Sequence, residues 1–366
     1  MFLCYNQIMK KFLFLSIFIF LPIIFSGCSL VPVNDGASNA PVDQTKSNGS
    51  LWESSDGGKT WLERSKGNAK SVDTSGVDVL SLALNPYDAD MAYAGARGAG
   101  ILKTEDGGQN WQYLPFQSEK VYGLDIDPID SKIIYASGVW QKRGKIFKSL
   151  DGGKTWEEIY TSPSAGPLII ALQIDKKNPG NVYASTSDNQ VIKTTDGGGS
   201  WKNIFAASGP VTKIAIDETN NNLMYFAIRG KGVFRSADGG KSFEDVSKTI
   251  SNLTLGNQDI NVLETDSQNA NWVYAAGAVG ILRSRDAGKN WEKIEVLNNP
   301  ATFPVKSLAI NPKNSAELVY GAAQAIYKSV DGGNSWTTTQ FETAKSINIL
   351  KYSTANTDML YLGLSK

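Results

Sequence analysis

The chain has 366 residues, with 36 lysines and arginines against 36 aspartates and glutamates, two cysteines and no histidine. The missing imidazole excludes Ser-His-Asp and Cys-His nucleophile systems, His-ligated zinc and His-ligated haem. A formal charge of zero leaves no electrostatic footprint for a nucleic-acid partner.

The first predicted element is an export signal. Lys10-Lys11 precedes an apolar run from Phe12 to Phe25, broken only by Ser16 and Pro22, and Ser26-Gly27-Cys28 follows. A positive segment, a short apolar stretch and a small-residue site are the parts of a secretory signal, and the run is short for a spanning helix. Small residues directly before a cysteine resemble the bacterial lipoprotein cleavage site, with Cys28 as the lipidated first mature residue; Phe25 stands where that site usually has Leu. Met9 reads as a more natural start than Met1, which places Cys4 outside the product. Residues 1–27 are therefore expected to be removed. Residues 28–48, rich in Ser, Asn, Asp, Pro and Gly without periodicity, are expected to form a flexible tether. The expected product is an exported, membrane-anchored lipoprotein on the periplasmic or cell-surface face. With Cys28 its one cysteine it forms no internal disulfide, and its stability must come from packing.

From Gly49 onward the chain repeats. Seven segments close to Ser/Thr-x-Asp-x-Gly-x-x-Trp carry Asp56, Asp106, Asp151, Asp196, Asp238, Asp286 and Asp331, spaced by 50, 45, 45, 42, 48 and 45 residues. Six end in tryptophan and one in Phe243. Self-similarity at that period is the mark of a repeat architecture. Between the boxes run alternating apolar segments such as Leu82-Ala83-Leu84-Asn85-Pro86, followed by Tyr93, Tyr135, Tyr183, Tyr225, Tyr274, Tyr320 and Tyr361. Each unit reads as four short strands: A, the apolar run; B, with the tyrosine; C, the apolar pair before the box; and D, starting at the box aromatic. No helical periodicity of any length is found in the mature region.

The two repeats are out of phase. The first box has no tyrosine strand before it, and Tyr361 has no box after it. Strands C and D from Gly49–Ser65 and strands A and B from Ser346–Ser365 therefore complete one unit together. The expected fold is all-β: a seven-bladed β-propeller over residues 49–366, four antiparallel strands per blade, one blade closed by both termini, which hides the free sheet edges. These residues resemble the Asp-box, or bacterial neuraminidase repeat, propellers. That group includes sialidases, xyloglucan-degrading glycosidases, sortilin-type receptors and the photosystem II assembly-factor family of lumenal or lipid-anchored propellers. The box is shared across unrelated activities, so the resemblance speaks to fold more than to function.

The box itself reads as turn chemistry. Its carboxylate accepts backbone N–H groups, its glycine supplies the positive φ of a tight turn, and its tryptophan packs between blades. Calcium is the other reading, but each box offers one carboxylate where calcium takes six to eight oxygens. No metal and no cofactor are expected. The residue before each box is basic in six units (Lys103, Lys148, Lys193, Arg235, Arg283 and Lys328) with Glu53 the exception. A solvated strand position, its long stem covering apolar surface, is the expectation.

With the boxes on the C–D face, a ligand is expected on the face of the D–A and B–C loops. Arg97, Trp140, Arg143 and Arg229 stand out there. Arginines in equivalent loops are suited to carboxylate groups of a peptide or sugar, although scattered surface arginines give the same pattern. Trp140, outside the box pattern, reads as a contact aromatic or as packing beneath its own loop. Sialidases carry an Arg-Ile-Pro motif that this chain lacks. Xyloglucanase-type glycosidases use two carboxylates across a cleft, and Glu119, Asp188, Asp259 and Glu342 sit singly in short loops. The leading expectation is a non-catalytic, monomeric, lipid-anchored propeller that recruits a protein or peptide at the membrane surface. A secreted glycoside hydrolase of sialidase or xyloglucanase type is the alternative.

Overall fold

The computed structural model describes residues 49–66, 72–116, 118–163, 166–254 and 258–366. The signal, the tether and Cys28 lie outside the described residues. Antiparallel sheets account for nearly all of the regular structure: five have four strands, and one has eight. The eight-stranded sheet is two four-stranded halves joined through the single pair Arg97↔Lys120. Each four-stranded unit runs A, B, C, D in chain order except the terminal one, where Leu51–Ser54 pairs with Leu360–Ser365 from the other end of the chain.

The A strands are Asp78–Leu84, Lys120–Ile126, Ile169–Ile174, Val211–Ile216, Ile260–Thr265, Val305–Asn311 and Ser346–Tyr352. Each packs beside the next, and the last packs beside the first. Every one carries a register shift near its start, as between Val79 and Ser81 or between Ile347 and Ile349. A bulge there raises the local twist and turns the strand away from its neighbours at one end. Two residues past the bulge a large aliphatic is buried in each sheet, from Leu82 in the first to Leu350 in the terminal one. The core is thus a series of apolar layers between sheets. One such layer joins Trp52, Trp61, Leu350 and Leu362 to Val319 and Ile326 of the preceding sheet.

All seven boxes fold as turns. In the third, Ser149 Oγ donates to Asp151 at 2.9 Å and accepts the Gly153 N–H at 2.8 Å, while the Asp151 carboxylate accepts the Thr155 N–H at 2.9 Å and the Thr155 hydroxyl at 2.6 Å. The Thr155 bonds above all hold the Asp151 carboxyl down at about 2, and Ser335 does the same for Asp331. Two successive residues in each box take positive φ, so the residue between Asp and the box glycine is also left-handed. Ala287 occupies that place in the sixth box at φ 63°, where an L side chain is strained.

Three expectations need correction. First, the basic residues before the boxes are not simply solvated. Lys148 Nζ and Tyr135 Oη both donate to the Gly197 carbonyl in the next sheet's box, at 2.9 and 3.1 Å. Arg235 donates to Ala287 O at 2.8 Å, and Lys328 to Gly57 O across the terminal seam. Glu53, the exception, pairs with Arg64 at 2.9 Å. The ammonium lies over a tyrosine ring in three units, as for Lys193 Nζ over Tyr183 at 4.8 Å to the centroid. The position is a clasp between sheets.

Second, Tyr320 is not the sixth equivalent of the other tyrosines. Tyr93 faces Ala83 and Lys103, whereas Tyr320 faces Leu308 and Tyr327, and Val319 holds the Tyr93 place. A one-residue shift puts a side chain on the opposite face of its sheet. Tyr320 accordingly stacks on Tyr327 at 4.5 Å and bonds Asn298. Third, among the described residues one short helix occurs, Ser247–Leu253, anchored by buried Ser247 and Ile250. Seven residues with two buried positions are too few to show as periodicity.

Candidate functional site

The loops divide between two faces as expected. Each A–B turn accepts a backbone N–H from a box, for example Gly152 to Lys132 O and Gly197 to Gly180 O, both 2.9 Å. The B–C loops bond the D–A connections, as in Gly98 to Glu119 O at 2.7 Å and Arg229 to Pro210 O at 3.0 Å. The boxes are therefore on the face away from the candidate residues.

On the D–A/B–C face the structure brings together part of the expected set. Trp140 and Arg143 face one another across a two-residue turn whose residues, Gln141 and Lys142, both have positive φ. Arg97 lies in the adjacent sheet; it is exposed and ion-paired to Asp78 at 3.3 Å. Arg143 is less available than expected, because its guanidinium is turned onto the Ser162 carbonyl and braces its own loop. Arg229 is exposed at a B–C loop two sheets further on. Trp140 is half-buried. It lines a cavity of about 470 Å³ with Leu114, Pro115, Phe116, Phe147 and Trp156.

A second cavity, of about 330 Å³, runs between the A strands of all the sheets and was missed by the sequence reading. Asp125, Glu218 and Glu264 line it with Lys176, Lys213 and Lys351. Lys176 pairs with Asp125 at 3.2 Å. Lys213 and Glu264 reach channel solvent, yet protein surrounds them. Burial raises the Glu264 and Glu218 carboxyls above the usual range and lowers the Lys213 ammonium. Among the described residues no three acidic, histidine or cysteine side chains gather closely enough for a metal ion. The signal for these residues was present in the repeat: Asp125, Gln173, Glu264 and Lys351 stand three places past the bulge, where the other sheets have alanine.

Repeated four-stranded sheets, a box turn on one face and open loops on the other define an Asp-box β-propeller protein. The sequence signature of the photosynthesis system II assembly factor YCF48 family matches residues 45–167 and 210–365, and the chain belongs to that family. Curated relatives are of another kind. The xyloglucanase Xgh74A of Acetivibrio thermocellus is 24% identical over 269 residues, 70% of this chain and 25% of that enzyme. The oligoxyloglucan-reducing end-specific xyloglucanase of Emericella nidulans is 33% identical over 89 residues, 22% of this chain and 11% of the enzyme. The chain thus spans a quarter or less of the length of these relatives. Among solved structures, a GH74 xyloglucanase from Xanthomonas campestris matches with a TM-score of 0.65 at 15% identity, over 79% of this chain and 51% of its own. YCF48 bound to D1 peptide matches at 0.60 and 15%, over 79% and 94%. At these identities the structures speak to fold alone.

The expectation of a chain without catalytic activity does not stand. The chain's curated relatives include xyloglucanases, which overturns that expectation.

Proposed function

We propose that residues 49–366 form a seven-bladed propeller closed by both termini, and that its D–A/B–C face binds a peptide segment of a protein partner at a membrane surface. In this reading the chain is exported, held as a monomer by a lipid on Cys28, and recruits its partner through Arg97 and Arg229, with Arg143 setting the loop that carries Trp140. The observation that carries it is the family match over most of the chain, joined to a family structure that holds a peptide. Exposed guanidinium groups favour acidic partners, and Trp140 adds apolar area. The test is affinity capture from membrane extracts with the wild type and an Arg97→Ala/Arg229→Ala variant. Partners lost with the variant support the reading; identical partner sets remove this face from it.

Glycoside hydrolysis is the second reading, favoured by the xyloglucanase relatives and by the channel carboxylates. A carboxyl raised by burial is suited to protonating a leaving group while a second carboxylate acts as base or nucleophile. Turnover of xyloglucan oligosaccharides that disappears in Glu264→Gln or Glu218→Gln would establish it.

A further inference from the structure

The cavity beside Trp140 has features that the binding reading above does not use. Its walls come from two sheets: Leu114, Pro115 and Phe116 from the D–A connection of one, and Trp140, Phe147 and Trp156 from the next. Phe116 sets the floor, buried and packed edge-on to Phe147 at 5.0 Å and tilted against Trp156 at 4.8 Å. Its volume, about 470 Å³, falls within the ~300–1,000 Å³ of small-ligand pockets.

The lining decides the chemistry of the occupant. Every wall side chain is apolar or aromatic, and the Trp156 indole N–H is already committed to Gly153 O at 3.1 Å. That leaves the Trp140 indole as the one polar side-chain group. A sugar needs several directional hydrogen bonds from carboxylates or amides in addition to a stacking face, and this cavity supplies none of those groups. A single large apolar side chain needs only the desolvated walls. At the rim, Lys142 sits exposed at the tip of the Trp140 hairpin and makes no ion pair among the described residues.

We infer that this cavity is an anchor pocket for one aromatic or large aliphatic side chain of a peptide, with an acidic residue beside it meeting Lys142. The inference rests on the peptide-binding reading and adds to it the residue class that is selected.

The test uses two amidated acidic hexapeptides that differ only at the central position, phenylalanine in one and serine in the other. Each is titrated into the full chain by fluorescence anisotropy. The phenylalanine peptide is expected to bind at least about tenfold more tightly. Trp140→Ala should bring the ratio of the two affinities close to one. Pro115→Asp, a change at an exposed residue of the cavity wall, should do the same with an unchanged melting temperature. Arg229→Ala should weaken both peptides alike. Equal affinities on the wild type, no binding of either peptide, or a ratio that survives both pocket variants would overturn the inference. So would displacement of the phenylalanine peptide by a xyloglucan oligosaccharide in a Trp140-dependent way. If partners are captured through Arg97 and Arg229 but ignore Pro115→Asp, the pocket fails while the binding face stands. If no partner depends on the arginines, the failure lies with the face.

Discussion

Leu362→Ala tests whether the terminal sheet is an integral part of the ring. Leu362 is fully buried in the second strand of that sheet, opposite Trp52 from the start of the chain and Leu350 from its end. Its layer also includes Val319 and Ile326 of the preceding sheet, so the side chain touches three stretches of sequence. Truncating a buried leucine costs about 2–5 kcal/mol, the upper part applying where the surroundings cannot collapse. Strands fixed on both sides collapse little, and about 3 kcal/mol is a fair value here. At about 2 °C per kcal/mol for a domain of this size, the melting temperature should fall by about 6 °C. Scanning calorimetry should show one transition, moved as a whole, because each A strand packs against the A strands of both neighbouring sheets. Deleting 346–366 is the limit of the same perturbation. It removes buried Ile347, Leu350, Leu360, Leu362 and Leu364 together, about 8–15 kcal/mol of burial, against a total stability of about 5–15 kcal/mol. The reasoning is refuted if Leu362→Ala leaves the main transition in place and produces a separate small one at lower temperature.

Three further predictions concern single sites. Ala287→Gly relieves a left-handed alanine and should raise stability by about 0.5–1 kcal/mol in urea unfolding, with no change in the slope; a loss would mean that the methyl contact outweighs the strain. The box carboxyls of Asp151 and Asp331, held at about 2, stabilise the fold above the ordinary carboxylate range near 4. That contribution is lost as pH falls through about 2, so acid unfolding of Asp151→Asn should be less steep over that window, and chelators should not shift melting at any pH. Cys28→Ser should leave a soluble or unprocessed form in cell fractionation, and normal membrane association of a mature-sized product would dispose of the lipid anchor.

Much of the fold was legible because each repeat states its turn chemistry outright. Asp151-Gly152-Gly153 can hardly be anything but a tight turn, and the phase offset between Asp56 and Tyr361 implied that the two ends share a sheet. Register needed closer counting. Tyr320 stands nine residues after Asn311, where Tyr93 stands eight after Asn85, so Val319 takes the tyrosine place and Tyr320 falls on the other face. The candidate site was read less well. Arg143 and Trp140 were placed on the D–A/B–C face from loop position alone, but position does not show that Arg143 turns back onto Ser162. The channel charges were overlooked because Asp125 and Glu264 fall inside apolar strands, where alternation suggested a buried face. Only the radial arrangement turns that face toward water.

The clasp between sheets bears on how such a ring can change in size. In Lys148 and the box that follows it, a single hairpin holds both a donor for the next unit and, at Gly152, the acceptor for the one before, reached by Tyr93 Oη at 3.3 Å. A unit that keeps both bonds, as this one does, is a complete coupling piece, and one could be copied or dropped from the array without redesigning the joints on either side. The joint between the terminal sheet and the first departs from the scheme: Glu53 takes the donor's place and Arg64 carries the positive charge one strand further out. A duplication that crossed that joint would inherit its mismatch, whereas one confined to the interior units would not. Gene-level rearrangement of such a chain is thus expected to spare the ends and to act on the middle.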